Sequence, residues 1–229
     1  MKIIASDFDG TIYRNRIITD RDKNAILQWQ KDGNAFGIVT GRGQDILETA
    51  AEHGLKLDYA IAYNGALVLN EKGEVLYEDW FQRGIAKEYY DFAYSTEYQF
   101  AHPYNCTVDE NDTSKEHQLT LLLKDSEDAK EFTKLLNERF EGRLTSFSNG
   151  QWINTVKYGT SKATGIEHYA ELFGVDRKDI YAVGDFFNDL PMLQAFDGYV
   201  VSTCHPEMKK LVPNVCDDIA HLTEIANKK

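Results

Sequence analysis

Cysteine is scarce in this chain: Cys106, Cys204 and Cys216 are the only three, and none stands in a CxxC pair. An odd, scattered set argues against a disulfide framework and fits a reducing cytoplasm. The six histidines show no HxxxH spacing, which removes a common zinc signature. Long apolar runs are missing too, residues 119–123 being among the longest, and no charged-then-apolar leader precedes the first apolar run. Positive charge is in short supply, with 25 Lys and Arg against 37 Asp and Glu and a formal net charge of −12. That balance disfavours a nonspecific hold on nucleic acid phosphates or on an anionic membrane, so neither is expected as a partner. There is no Walker A sequence, and Gly41-Arg42-Gly43 does not extend to GxGxxG, so nucleotide-fold readings lose support.

With 42% hydrophobic and 27% charged residues, the composition is that of an ordinary soluble globular protein. Its 229 residues suffice for one large domain or two smaller ones. An acidic protein that handles phosphate needs local positive charge or a metal.

The most informative segment is Asp7-Phe8-Asp9-Gly10-Thr11, two carboxylates directly after the short apolar run 2–5. If that run is a buried parallel strand, the pair emerges at its carboxyl end, where open α/β sheets bind ligands. One carboxylate can attack phosphorus while the other moves protons, because an alkoxide leaves poorly until it is protonated. Taken alone, a DxDG is equally well a strand ending in a polar turn. A calcium loop fits worse, since the EF-hand pattern wants a further acidic residue before its glycine.

Along the chain, residues 19–31 read as a crossover helix, with Ile26 and Trp29 on one face, Thr19 and Asp22 spaced as a capping box, and Gly33 as the stop. Residues 35–39 form a second apolar strand ending at Thr40-Gly41-Arg42, residues 44–53 a helix, and residues 59–62 a third strand. Turns at Asn64-Gly65 and Lys72-Gly73 link extended pieces up to about Trp80. This alternation predicts a parallel sheet.

From Phe81 the rhythm changes to helix 85–94, strands 98–104 and 117–124, helix 127–140, and strands 143–147 and 152–157, with 109–116 as the longest loop. Residues 81–158 therefore read as an αββαββ insertion. The α/β rhythm returns with helix 162–173, strand 180–183, and a helix starting near Asn188. The expected fold class is α/β, a Rossmann-like parallel-sheet core of residues 1–80 and 159–229 with an inserted α+β domain.

Four signals lie at the ends of expected elements of one sheet: Asp7 and Asp9, Thr40, Lys162, and Gly184-Asp185-Phe186-Phe187-Asn188-Asp189. In this order they resemble the four motifs of the haloacid dehalogenase-like superfamily. The insertion, Tyr63-Asn64-Gly65-Ala66 and Asp189-Leu190-Pro191-Met192-Leu193 resemble its Cof-type phosphatase branch with a type IIB cap. One departure is local: the branch usually has Gly directly after the Lys, whereas this chain reads Lys162-Ala163-Thr164-Gly165-Ile166.

The resemblance implies roles. Asp7 is the nucleophile that becomes an aspartyl phosphate, and Asp9 is the acid and then the base. Thr40, Gly41, Lys162 and Asn188 bind phosphate. A magnesium ion is held by the carboxylates of Asp7 and Asp185 and the backbone carbonyl of Asp9, with Asp189 behind them orienting metal waters or Lys162. Like-charge crowding among Asp7, Asp9, Asp185 and Asp189 is expected to demand the cation and to hold Asp9 protonated.

Each position also has a plain structural alternative. Asp189 is an exposed residue in a first helical turn, Asn188 a helix cap and Lys162 a solvated helix residue, while Arg42 either helps bind anions or is a surface arginine. His102, Tyr104 and His117 either face substrate or belong to a sheet surface. The favoured function is a magnesium-dependent phosphatase for a small phosphorylated metabolite such as a sugar phosphate. A phosphomutase and a noncatalytic phosphometabolite sensor are the alternatives, the second disfavoured because a binding module needs no nucleophile and proton shuttle. No sequence feature sets the physiological substrate or the oligomeric state.

Overall fold

The computed structural model describes residues 1–82, 84–101 and 116–228. The expected strand end 102–104, the candidates His102 and Tyr104, Cys106, and the loop 109–116 apart from Glu116 lie outside the described residues. The chain divides into two compact units, residues 1–77 with 161–229, and residues 78–160.

In the first unit the early strands are β1 (Ile3–Ser6), β2 (Ala35–Val39) and β3 (Tyr59–Ala62), each buried at every position. Unbroken apolar runs of this kind are what strands covered on both faces require. Between them lie α1 (Asp20–Lys31) and α2 (Ile46–Glu52), the latter shorter at both ends than the pattern predicts. Thr19 caps helix α1, its Oγ1 accepting the Asp22 N–H at 3.1 Å, but the expected box is half formed, because the Asp22 carboxylate accepts from the Thr19 hydroxyl and the Ala220 N–H instead. Its buried residues include Ile26 and Trp29, and the Trp29 indole N–H donates to the Ala35 carbonyl. Two further strands, β4 (Leu67–Asn70) and β5 (Val75–Glu78), complete this half.

The second unit holds α3 (Ile85–Tyr94), β6 (Leu119–Leu122), α4 (Ser126–Arg139), β7 (Leu144–Asn149) and β8 (Trp152–Lys157). Its antiparallel sheet runs β6-β8-β7 over a core that includes Tyr89, Phe132 and Phe140. Among the described residues, the first strand of the expected insertion is a single bridge between Phe100 and Leu123. Helix α4 starts one residue early because Asp125 caps it, accepting the N–H groups of Glu127 and Asp128.

The first unit resumes with α5 (Lys162–Phe173) and β9 (Ile180–Gly184). The helix expected near Asn188 is instead a 3-10 turn, Phe187–Asp189, leading into α6 (Leu190–Ala195), with Pro191 in the first turn where its missing N–H costs nothing. No element is expected from sequence beyond this point. The structure adds β10 (Tyr199–Val201), α7 (Met208–Leu211), β11 (Val215–Cys216) and α8 (Ile219–Lys228). Strands of two and three residues are too short to show a period.

The strand order is β11-β10-β9-β1-β2-β3-β4-β5. Strands β10, β9, β1, β2 and β3 pair in parallel, and β4 is antiparallel to β3. The register sets Ser6 beside both Ile38 and Val183, so Asp7, Thr40 and Asp185 leave the sheet at nearly one level. Among the described residues, no helix is long and apolar enough to cross a membrane.

Candidate active site

Asp7 follows the last residue of β1, with its backbone N–H bonded to the Val183 carbonyl and only 6% of its surface exposed. Lys162 opens α5 behind the N-cap Ser161, which forms a capping box with Thr164. The lysine is 1% exposed, the reverse of a solvated helix residue. Its Nζ lies 2.5 Å from Asp7 Oδ1 and 2.6 Å from Asp189 Oδ1. Asp189 is fully buried rather than an exposed first-turn residue, and its Oδ2 accepts the N–H groups of Asp185 and Phe186. This carboxylate, not Asn188, caps the turn.

The glycine departure after Lys162 has a local explanation. Gly65 sits at φ +106°, and a Cβ there would meet the Ser161 carbonyl oxygen at 2.0 Å. Gly165 packs against the Gly65 Cα, where its own Cβ would come within 2.9 Å. The two glycines let the start of α5 approach the Tyr63–Gly65 turn.

Asp185 leaves β9 and is held by Thr11, whose Oγ1 donates to Asp185 Oδ1 at 3.0 Å. Gly10, at φ +85°, makes room for it, since a Cβ would meet Asp185 Oδ2 at 2.4 Å. Gly184 does the same for Asp189, whose Oδ2 would lie 2.4 Å from an added Cβ. Oxygens of Asp7, Asp185 and Asp189 lie within 4.8 Å of one another.

Burial pushes the Asp7 carboxyl well above the usual range, Asp189 adds to the shift, and Lys162 opposes it. Burial and then Asp189 push Asp185 up to about 6. Burial works against the Lys162 ammonium, but Asp189 and Asp7 outweigh it and its pKa is raised. Three carboxylates thus share one ammonium, leaving an excess of negative charge in a confined space.

Asp9 does not join this group, which corrects the expectation of four crowded carboxylates. Its side chain is half exposed, and both oxygens accept from Arg42, Oδ2 from Nε and Oδ1 from Nη2, each at 2.7 Å. The guanidinium lies 5.0 Å from the centre of the Phe8 ring. The chain has left the strand by Asp9 and turns at Gly10, so strand alternation no longer keeps residues 7 and 9 on one face. The partner of Asp9 is therefore a fixed cation rather than a second carboxylate.

Thr40 is buried, and its Oγ1 accepts the Arg42 N–H at 3.1 Å, which leaves the hydroxyl proton to donate elsewhere. Gly41 lies between them. Asn188 Oδ1 is buried and has no hydrogen-bond partner among the described residues. Rotating that amide by half a turn exchanges its acceptor for a donor. His117 Nδ1 is 2.9 Å from the Asp79 carbonyl and lies within the second unit.

Close carboxylate oxygens with excess negative charge fit a hard divalent cation. Both Asp189 oxygens are already engaged by Lys162 and by backbone N–H groups, which leaves Asp7 and Asp185 as the carboxylates best placed to hold one.

The sequence pattern of the haloacid dehalogenase-like hydrolases matches residues 4–105 and 94–222. The chain belongs to this family of hydrolases. A Bacillus subtilis relative of this hydrolase, named "Putative phosphatase YkrA", is 25% identical over 232 residues, covering 92% of this chain and 90% of the relative. Solved structures share its fold, two of which serve as examples. A structure described as a "putative HAD/COF-like hydrolase from Plasmodium vivax" has a TM-score of 0.80 at 20% identity, covering 100% of this chain and 96% of the other. The subclass IIB sugar phosphatase BT4131 has a TM-score of 0.79 at 18% identity, covering 100% and 98%.

Within this hydrolase, two site residues escape a sequence reading. Thr11 belongs to the DxDGT motif, yet its task becomes visible only when residue 185 is set against it. Arg42 is indistinguishable from a surface arginine until Asp9 is found on it.

Proposed function

We propose that the hydrolase is a magnesium-dependent phosphatase acting on a small phosphorylated metabolite, such as a sugar phosphate, through an aspartyl-phosphate intermediate. The observation that carries the reading is the buried Asp7 carboxylate at the carboxyl end of the central strand, with the Lys162 ammonium 2.5 Å away. An Asp7 oxygen attacks phosphorus and the bond to the ester oxygen breaks, while Asp9, which takes up a proton from solvent when one of its oxygens lets go of Arg42, gives that proton to the ester oxygen. Asp9 then takes a proton from the water that attacks the phosphorus, and phosphate departs with Asp7 restored. For each transfer Asp9 gives up part of its hold on Arg42, while the remaining bond keeps the carboxyl aimed.

Lys162 stays charged, anchors Asp7 and offsets the negative charge of the transferring group. The Thr40 hydroxyl, the Gly41 backbone and the Asn188 amide bind phosphate oxygens. Asp7, Asp185 and the Asp9 carbonyl would hold the magnesium ion, with Asp189 steering Lys162 from behind. When bound, the metal supplies electrostatic stabilisation of charge on the phosphoryl oxygens.

We assign residues 1–77 and 161–229 to the catalytic core and residues 78–160 to a type IIB cap that selects the leaving group. The similarity to YkrA supports a phosphatase, and the similarity to the sugar phosphatase BT4131 supports sugar phosphates as a starting class. Two free thiols, Cys204 and Cys216, are consistent with a cytoplasmic setting.

The test is phosphate release across a panel of phosphorylated metabolites, with magnesium and with chelator. Wild type releases phosphate only with metal, and Asp7→Asn is slower by more than about a thousandfold while keeping its circular dichroism spectrum. Turnover by Asp7→Asn within tenfold of wild type, or full activity after exhaustive metal removal, overturns the reading.

A further inference from the structure

Phe186, Phe187 and His205 form a ring cluster that no step above uses. Phe186 meets Phe187 edge-on at 5.2 Å and His205 at 5.6 Å, while Phe187 and His205 are tilted at 5.1 Å. The cluster is tied to the catalytic loop twice. Phe187 lies between Asp185 and Asp189 in sequence, and the His205 N–H donates to the Asp185 carbonyl at 3.1 Å.

Two of the three rings are open to solvent. Phe187 is 40% exposed, and His205 is exposed as well. His205 Nδ1 accepts the Glu207 N–H at 3.3 Å, so in the neutral ring the proton sits on Nε2, which remains a donor. Phe187 stands two residues from Asp185, at most about 7.6 Å by Cα steps, which is within reach of the first atoms beyond a bound phosphate.

We propose that Phe187 and His205 are specificity-determining residues, a platform for the leaving group. They favour phosphomonoesters whose alcohol carries a ring with a flat apolar face, aromatic or pyranose, over open-chain alcohols. The proposal rests on the phosphatase reading for where phosphate sits. The exposed Phe187 face covers and is covered by such a ring, and His205 Nε2–H donates to an oxygen on it. An open-chain alcohol phosphate presents no such face and gains little.

The experiment compares wild type, Phe187→Ala, Phe187→Leu and His205→Ala on benzyl phosphate, glucose 6-phosphate and glycerol 3-phosphate with magnesium. In parallel, calorimetry measures binding of benzylphosphonate and ethylphosphonate, which needs no turnover. Phe187→Ala is expected to lower kcat/KM at least fivefold for one or both ring esters, mainly through KM, and to stay within twofold for glycerol 3-phosphate. Phe187→Leu keeps apolar bulk and recovers part of the loss. An effect on benzyl phosphate alone identifies an aromatic ring, and one on glucose 6-phosphate alone a pyranose face.

Wild type is expected to bind benzylphosphonate at least fivefold more tightly than ethylphosphonate, a preference that Phe187→Ala removes. If all three esters change equally in the variants, or none changes, while wild type turns them over, the platform is wrong and the phosphatase reading stands. If the phosphonate preference is present and lost as stated but no ester is hydrolysed, the platform stands and the phosphatase reading falls.

Discussion

Replacing Lys162 by Met removes the ammonium that touches both Asp7 and Asp189. The lysine is 1% exposed and its partners' side chains 8% and 0%, so water cannot take over the lost contacts as it does at a surface pair. Breaking a buried ion pair by removing one partner costs about 3–5 kcal/mol, because the remaining charge is left uncompensated. For a chain of this size each kcal/mol moves Tm by about 2–4 °C, which puts the expected fall at roughly 6–20 °C.

A second substitution tests the cause. Asn at 189 still offers an oxygen to the Asp185 and Phe186 N–H groups but carries no charge, so Lys162→Met with Asp189→Asn should recover at least half of the loss. The assay is thermal unfolding followed by circular dichroism in metal-free buffer. A fall of less than about 2 °C in the single variant, or a double variant no more stable than the single, would refute the electrostatic account.

Asp9→Asn separates the two proton transfers. With an alkyl phosphate the first step slows, whereas an activated aryl phosphate, whose phenolate needs no proton, should show a burst of phenol followed by slow turnover with phosphate trapped on Asp7. Rapid mixing with mass spectrometry reads this, and wild-type rates on both substrates would sink the assignment. Asp22→Ala is expected to cost about 2–3 kcal/mol, seen as a fall in urea midpoint, because a fully buried carboxylate there bonds both Thr19 Oγ1 and the Ala220 N–H at the start of α8. An unchanged midpoint would show that this link between α1 and α8 carries no stability.

Asp7, Thr40 and Asp185 were readable as a group because each lies just past the end of a short apolar run, whereas Lys162 opens a helix and stands at no such end. The start of α1 at Thr19 and the bounds of α5 were likewise legible, since helix-start and helix-stop residues act within about four positions, whereas the Ser161–Thr164 capping box of α5 was not foreseen. The chain after residue 195 was not, because β10 and β11 are held by neighbours rather than by their own pattern.

Periodicity says which residues share a face but nothing about partners more than a hundred positions away. The burial of Lys162 between Asp7 and Asp189 joins residues 155 and 27 positions apart. Thr11 reaches across 174 positions to Asp185, and Asp22 across 198 to Ala220. Asp9 is the clearest case. From sequence it is the twin of Asp7, two residues away in the same motif, while the tertiary structure gives one carboxylate a buried lysine and the other an exposed arginine. The motif determined that two carboxylates would stand at the end of β1. The register of β1 against β2 and β9 decided which neighbours each would meet, and so which electrostatic environment each would have.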